Sequence, residues 1–191
     1  MSMKRFPLEQ YATLELNQVA FPKTGMVVSQ TPLGSEFTEN APCENGMWVL
    51  ADKARGYIGS IAAVTDSPVG IVYTAEKEYD MYHYGLKTFG RKIEGDYPRV
   101  GILGLGDTVT TNCLQYDDTE FEDEQDAEEG SALFEALAAF ETTPVYVVPV
   151  AGSPVPKLTA TKPASGIYGK VTKFYTVPNG EKGVKYQIVS L

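Results

Sequence analysis

Histidine, cysteine and long apolar runs are scarce in this sequence, and each scarcity argues against a class of site. The 191 residues include one histidine and two cysteines. A single histidine, His83, cannot build a histidine-based metal centre, and nothing in the sequence points to the nucleophile that a catalytic histidine needs. We therefore interpret it as a structural or surface residue. Cys43 and Cys113 stand 70 positions apart without a CxxC spacing. We therefore expect two free thiols rather than a disulfide framework or a metal site.

The most apolar stretches, residues 57–64 and 145–150, are far shorter than the about 20 residues that a membrane-spanning helix needs. The N-terminus carries Lys4 and Arg5, but the apolar segment of a secretory signal does not follow them. We therefore expect a soluble protein without a membrane partner. With 43% hydrophobic and 21% charged residues, the composition is typical of a folded domain.

The glycine-rich block at residues 98–107 lacks the motifs of nucleotide-binding loops. It contains neither the GxxxxGK sequence of a phosphate-binding loop nor a GxGxxG that opens a helix, because a threonine-rich strand pattern follows it. We expect its glycines to form a bulge or a tight turn between two strands. Asp66, Asp80 and Asp107 keep open a hydrolase that uses paired carboxylates, although nothing in the sequence selects them. We assign no catalytic residue, cofactor or metal ligand, and we expect a protein that is not an enzyme.

Negative charge is concentrated in residues 117–129. Nine of these thirteen residues are acidic, and none is Lys or Arg. The chain has 25 acidic and 16 basic residues, so without this acidic run the counts are 16 and 16 and the rest of the chain is neutral. We interpret the run as a solvated insertion, with weak divalent-cation binding and mimicry of nucleic-acid phosphate as alternatives. Direct binding to nucleic acid is disfavoured, since it depends on basic patches.

Short β-branched and aromatic runs separated by Gly, Pro and Asn predict a mainly β fold, either a β-barrel or sandwich-like. The candidate strands are residues 25–30, 47–52, 57–64, 70–75, 81–89, 99–105, 108–114 and 145–150. One short helix is predicted over residues 131–141, because Ser131 can cap it and Leu133, Phe134 and Leu137 recur at helical spacing. The acidic run and this helix form an inserted segment, residues 117–141.

Turn-forming residues predict a β-hairpin at the C-terminus. Residues 166–177 and 184–191 flank a Pro-Asn-Gly segment, and Asn-Gly supplies the positive φ that a tight turn requires. A second Asn-Gly pair, Asn45 and Gly46, predicts a turn in front of the strand that contains Trp48.

Proline sets two further segments apart. Residues 1–24, with Pro7 and Pro22, are predicted to be an extended N-terminal arm, and residues 25–191 a single β-rich domain. Residues 144–156 contain four prolines, which we expect to exclude a central sheet strand over much of this length.

Residues 98–112, PRVGILGLGDTVTTN, carry a family resemblance. The stretch resembles structural proteins of tailed bacteriophage virions in its extended PRVG segment followed by GD and a Thr-rich TTN strand. Residues 21–30, 45–52 and 69–79 and the C-terminal GVKYQIVSL are consistent with this resemblance, which covers roughly half of the chain. The acidic run is not part of the pattern.

The resemblance implies a capsid decoration or cement protein that binds and stabilises the assembled phage head. Its partners would be the major capsid protein and copies of itself, and its location the capsid surface, with the host cytoplasm during assembly. We expect a homo-oligomer within a larger assembly. A head-to-tail connector or a tail structural protein is the alternative within the virion. An alternative of another class is an acidic inhibitor that occupies the basic groove of a partner.

Overall fold

Most of the regular secondary structure is β-strand. The computed structural model describes residues 3–6, 12–15, 18–21, 27–28, 31–51, 53–63, 68–74, 90–91, 97–121, 131–176 and 180–191. The strands in these ranges are β1 (Met3–Arg5), β2 (Val27–Val28), β3 (Cys43–Glu44), β4 (Trp48–Leu50), β5 (Val69–Val72), β6 (Gly90–Arg91), β7 (Val100–Ile102), β8 (Thr108–Thr111), β9 (Gln115–Asp117), β10 (Tyr146–Val150), β11 (Ser153–Thr159), β12 (Tyr168–Thr176) and β13 (Lys182–Ser190). The helices in the same ranges are the α-helix α1 (Ala132–Ala138) and a 3-10 helix (Lys53–Arg55). The predicted mainly β fold with a short helix is confirmed.

Seven strands form the larger sheet, in the order β1-β9-β11-β10-β12-β13-β8. β8 and β9 lie toward opposite ends of this order, yet only residues 112–114 separate them in the chain. The sheet therefore curves back on itself, as the sheet of a β-barrel does. Its inner side carries the larger of two core clusters, to which Leu158, Val171 and Ile188 contribute.

The smaller sheet, in the order β2-β7-β5-β4, is buried on both faces along β4 and β5. Alternate side chains of a strand point to opposite faces. Trp48 and Ile71 accordingly join the larger core cluster, while Val49 and Val72 join a second cluster. A strand with a core on each side has no polar face, which explains the unbroken apolar character of these two strands.

The N-terminal segment lies antiparallel to residues 108–117. β1 pairs with β9, so that Met3 stands opposite Asp117. Farther along the segment, Leu14 forms a bridge with Thr111 and is fully buried in the larger core cluster. The described residues of this segment pack against the body, because apolar side chains such as Phe6 and Leu14 contribute to its core.

The prediction that proline keeps residues 144–156 out of the sheet interior is wrong. β10 and β11 occupy interior positions of the larger sheet. The prolines are tolerated because the ladder residues avoid them. β10 pairs with β12 only at Tyr146 and Val147, and Pro149 falls where the β10–β11 register shifts. β11 pairs with β9 at Lys157, beyond both of its prolines.

Residues 57–64 do not form the predicted strand in their described part. Ile58 and Ile61 are both fully buried, and a strand would point side chains three positions apart to opposite faces. The stretch instead makes isolated bridges at Ile58 and Gly59. The candidate strand at residues 81–89 lies outside the described residues.

Three local predictions are confirmed. The C-terminal hairpin is formed by β12 and β13, whose register shifts between Val171 and Lys173. Ser131 caps α1, because its Oγ accepts a hydrogen bond from the backbone N–H of Phe134 at 3.3 Å. The Asn-Gly turn in front of β4 has Gly46 at a φ of 93°.

One buried hydrogen bond joins the two sheets. Trp48 in β4 donates from Nε1 to Oη of Tyr186 in β13 at 2.9 Å, and both side chains are fully buried. Their ring centroids are 6.0 Å apart. Burial raises the pKa of the Tyr186 phenol, so the group stays neutral at physiological pH.

Removing this acceptor tests its contribution to stability. We expect Tyr186→Phe to lower the free energy of unfolding by about 1–3 kcal/mol, because the indole N–H of Trp48 would lose its partner in a dry core. Urea unfolding followed by the fluorescence of Trp48 measures this change. Tyr97→Phe is the matched control, since Tyr97 is 59% exposed and should alter stability by less than about 0.5 kcal/mol. Equal stabilities of the two variants would contradict the role of the bond.

Candidate functional site

An open cavity of about 630 Å³ lies where β1, the loop before β3 and the start of β11 come together. It is lined by Arg5, Glu36, Phe37, Glu39, Asn40, Ala41, Pro42, Glu44, Met47, Ser60, Gly152, Pro154 and Val155. Concave surfaces that combine apolar side chains with a few converging polar groups are the usual binding sites of proteins. This cavity is therefore the candidate functional site.

Arg5 and Glu44 form an ion pair in the cavity wall. Arg5 donates from Nη1 to Oε1 of Glu44 at 3.3 Å and from Nη2 to Oε2 at 3.1 Å. Oε2 also accepts the backbone N–H of Ala12 at 2.6 Å. The side chain of Glu44 is 4% exposed and that of Arg5 37%. The buried carboxylate thus holds two parts of the N-terminal segment against β3.

The remaining charges make the cavity anionic. Oε1 of Glu36 accepts the backbone N–H of Ser60 at 2.9 Å, which fixes one side of the cavity. Glu39 is exposed at the rim. Since Arg5 is already paired with Glu44, these two carboxylates are the remaining charges among the described lining residues. The arrangement suits a cationic group, such as a lysine or arginine side chain of a partner.

The acidic run begins inside the fold. Asp117, its first residue, is 3% exposed. Oδ1 of Asp117 accepts hydrogen bonds from Oγ1 of Thr119 at 2.6 Å and from its backbone N–H at 3.0 Å. These bonds, together with the nearby ammonium group of Lys157, hold the pKa of Asp117 below its usual value. The interpretation of the run as solvated is therefore wrong for this residue.

Glu120 is held on β11 in a similar way. It accepts hydrogen bonds from the hydroxyl of Thr159 and, at 2.9 Å, from the backbone N–H of Ala160. Nζ of Lys157 lies 3.0 Å from Oε2 of Glu120 and 3.9 Å from Oδ2 of Asp117. Burial raises the pKa of Glu120, but the bonds from Thr159, Lys157 and Ala160 outweigh it and the net shift is downward. The acidic residues 122–129 lie outside the described residues.

Both cysteines are free thiols, as predicted, and both are buried. Burial raises the pKa of the Cys113 thiol to about 12. A protonated, inaccessible thiol is a poor nucleophile and a poor metal ligand. A side chain on Gly46 would place its Cβ 2.6 Å from Cβ of Cys113. Cys113 therefore has a packing role.

The glycine-rich block forms the predicted turn. Asp107 is fully buried, and its Oδ2 accepts the backbone N–H of Gly104 at 2.7 Å. Gly106 adopts a φ of 95° between them, and β7 and β8 flank the turn. Asp107 is thus a turn-forming residue, away from the cavity. The other residues considered for chemistry lie outside the described ranges: Asp66, Asp80 and His83.

Comparison with protein-family models, with curated proteins and with solved structures finds no match to this chain. The cavity is therefore interpreted from its own geometry. Across the described ranges, no helix is both long and apolar enough to cross a membrane. In the same part of the chain, no three His, Cys, Asp or Glu side chains are grouped closely enough to hold a metal ion.

Sequence reasoning missed the charged residues of the cavity. Arg5 and Glu44 are 39 positions apart, and neither belongs to a motif. The sequence marks Arg5 only as part of a basic pair near the N-terminus. The ion pair between Arg5 and Glu44 forms because the strand order brings them together, and the residues next to each one in the sequence do not indicate it.

Lys157 tests how the start of the acidic run is held. The folded-state pKa values of Asp117 and Glu120 lie below their ordinary values. Their bonds therefore stabilise the fold above about pH 4, and this contribution is lost as the pH falls through the folded values. We expect Lys157→Met to cost about 1 kcal/mol at neutral pH and less in acid. Urea unfolding from pH 7 to about pH 3 measures the trend.

The control is Lys162→Met, which removes an exposed lysine and should leave the stability unchanged at every pH. A destabilisation by Lys157→Met that stays constant between neutral and acidic pH would contradict the proposed ion pairs.

A double-mutant cycle tests the ion pair in the cavity wall. Arg5→Met and Glu44→Gln should each cost about 1–3 kcal/mol. The first leaves the buried carboxylate of Glu44 without its cation, and the second removes the charged acceptor that Arg5 and the backbone N–H of Ala12 share. The double variant should cost less than the sum of the two by more than about 1 kcal/mol. Urea unfolding gives the free energies of unfolding of the wild type, the two single variants and the double variant. Arg99→Met, which alters an exposed arginine, is the control. Additive costs would show that the two side chains act independently.

Proposed function

We propose that this chain is a structural protein of a tailed-bacteriophage virion, a capsid decoration or cement protein that binds the assembled head and stabilises it. The proposal begins with the resemblance of residues 98–112 to virion structural proteins. The observation that carries it further is the place of this block in the fold, because the block is the framework that connects the two sheets.

The first part of the block links the two cores. It contains β7 of the smaller sheet and β8 of the larger one, with the turn at Asp107 between them. Val100 is fully buried in one core cluster and Val109 in the other. The resemblance thus falls on residues that determine the architecture of this chain.

The TTN end of the block fixes two other parts of the chain. Oδ1 of Asn112 accepts the backbone N–H of Thr13, and its Nδ2 donates to Oε2 of Glu181, both at 2.6 Å. Oγ1 of Thr111 donates to the backbone carbonyl of Thr13 at 2.7 Å. The N-terminal segment and the C-terminal hairpin are therefore held by one short strand. Such preorganisation lowers the entropy cost of binding a partner.

Large side chains on the surface offer contact area. Tyr97 is 59% exposed and Leu105 is 42% exposed, on opposite sides of β7 in the sequence. The chain contains 12 tyrosines, and tyrosine combines a large apolar ring with a polar tip, which makes it frequent at protein interfaces. The anionic cavity adds a site for a basic side chain of the partner. These features support a protein whose work is contact with the major capsid protein and with copies of itself.

A protein that binds the assembled shell, but not its separate subunits, stabilises the shell by mass action. At a free concentration about 100-fold above Kd, the gain is about 2.7 kcal/mol at each site. Because a shell repeats the site many times, a modest affinity at each one is sufficient. The protein would act from the capsid surface after synthesis in the host cytoplasm.

Binding to isolated heads tests this function. Heads prepared without the protein would be mixed with the purified chain, and we expect it to sediment with heads but not with dissociated capsid subunits. The heads should then withstand a higher temperature before they release DNA. Mass spectrometry of purified particles that fails to detect the chain, or equal binding to free subunits, would overturn the proposal. A copy number near that of the capsid protein supports a shell position, and a small ring-like number supports a connector or tail position.

The acidic-inhibitor alternative is weakened by the way the run begins. Asp117 and Glu120 bind Lys157, Thr119 and Thr159 of the same chain, so two of the nine carboxylates are withdrawn from a basic partner. An inhibitor of this class would bind its target with an affinity that falls steeply with salt. Unchanged binding after deletion of residues 122–129 would refute it.

A further inference from the structure

Glu36 places a positioned carboxylate in the wall of the cavity. Its Oε1 accepts the backbone N–H of Ser60 at 2.9 Å. A Cβ added to Gly34 would overlap with Oε2 of Glu36, and one added to Gly59 would lie 2.6 Å from Oε1. The two glycines thus leave room for the carboxylate, and alanine at either position would displace it. Among the described residues, Glu36 has no cationic partner.

Glu39 stands at the tip of a tight turn on the rim of the same cavity. Thr38 and Ala41 exchange backbone hydrogen bonds of 3.0 and 3.1 Å, and Oγ1 of Thr38 also accepts the N–H of Ala41 at 3.2 Å. Glu39 likewise has no ion pair within the described part of the chain. Since Arg5 and Glu44 cancel each other, the described lining carries two negative charges in excess.

The inner part of the cavity is apolar. Phe37, Met47 and Val155 line it, and all three are buried. A metal ion would leave this surface uncovered, and the described ranges contain no group of three side chains that could hold one. Lysine and arginine combine the two properties that the cavity requires, because they lay an aliphatic stem along an apolar surface and carry a cation at its end.

We propose that the cavity binds a lysine or arginine side chain that projects from a partner protein. Its aliphatic stem lies on Phe37, Met47 and Val155. Its cation pairs with the carboxylates of Glu36 and Glu39, which are both exposed and therefore within reach of a second molecule. Binding of this kind fixes the position of the partner, since a single cavity accepts a single side chain.

This inference rests on the proposed function only for the identity of the partner, the major capsid protein. The purified chain and short peptides test the cavity without phage heads. Peptides that fail to bind would remove the cavity from the interface and leave head binding through other surfaces open. Heads that fail to bind would remove the virion role and leave the specificity of the cavity for basic side chains intact.

Titration of the purified chain with blocked tripeptides is the first experiment. Methionines carrying a ¹³C-labelled methyl group would be observed by NMR, and Met47→Leu would assign the signal that reports on the cavity. We expect glycyl-lysyl-glycine and glycyl-arginyl-glycine to shift this signal saturably, with a Kd of about 1–10 mM. The norleucine peptide keeps the stem of lysine without the charge, so it should bind at least about 3-fold more weakly.

Neutral variants identify the carboxylates. Glu36→Gln keeps an oxygen that can accept the N–H of Ser60, so it should fold and yet bind both basic peptides about 3-fold more weakly. Glu39→Gln should have the same effect, and its place in an exposed turn keeps the test available if Glu36→Gln does not fold. Glu141→Gln removes an exposed carboxylate beyond the end of α1 and should bind like the wild type. Circular dichroism establishes that each variant folds.

Three results would overturn the proposal. The first is a Met47 signal that shows no saturable shift at peptide concentrations up to about 50 mM, well above the expected Kd. The second is equal binding of the norleucine peptide, or binding of the basic peptides that neither Glu36→Gln nor Glu39→Gln weakens. The third is Ca²⁺ binding that excludes the peptides, which would assign the carboxylates to a metal ion.

Discussion

The pairing of the N-terminal segment with residues 108–117 is the contact on which the rest of the fold depends. The segment donates from the backbone N–H of Phe6 to the carbonyl of Leu114 and from that of Glu15 to the carbonyl of Thr110, each at 2.9 Å. On its other side the same stretch pairs first with β13 and then with β11. The curved sheet closes along residues 108–117. Without the N-terminal segment, backbone N–H and C=O groups of these residues would lose their hydrogen-bond partners.

The smaller sheet covers the inner face of the curved larger sheet. The inner face of the curved sheet needs an apolar cover, and β4 and β5 supply it through Trp48, Val69 and Ile71. Their opposite face then needs a cover of its own, which the second cluster provides with Leu33, Phe37 and other apolar residues. The indole N–H of Trp48 is buried and cannot bind water. Its hydrogen bond to Tyr186 therefore fixes the relative position of the two sheets and also contributes to their stability.

Features set by a residue and its immediate neighbours could be predicted from the sequence. Ser131 caps α1, and Gly46 and Gly106 make their turns, because the required backbone geometry follows from those residues alone. Features set by strand order could not be predicted. The prolines of β10 and β11 argue against an interior position in the sheet, yet other residues of those strands form the ladder. The ion pair between Arg5 and Glu44 likewise exists only because β1 reaches the edge of β9.

Charge composition has the same limitation, since it counts residues without placing them. The balance of 16 acidic and 16 basic residues outside the acidic run describes a body that is neutral only on average. In the fold, Lys157 is used to hold the start of the run, and Lys173 and Lys185 are placed opposite each other. Lysines on an exposed sheet face prevent indiscriminate stacking of that face, because most orientations of a second sheet bring like charges together.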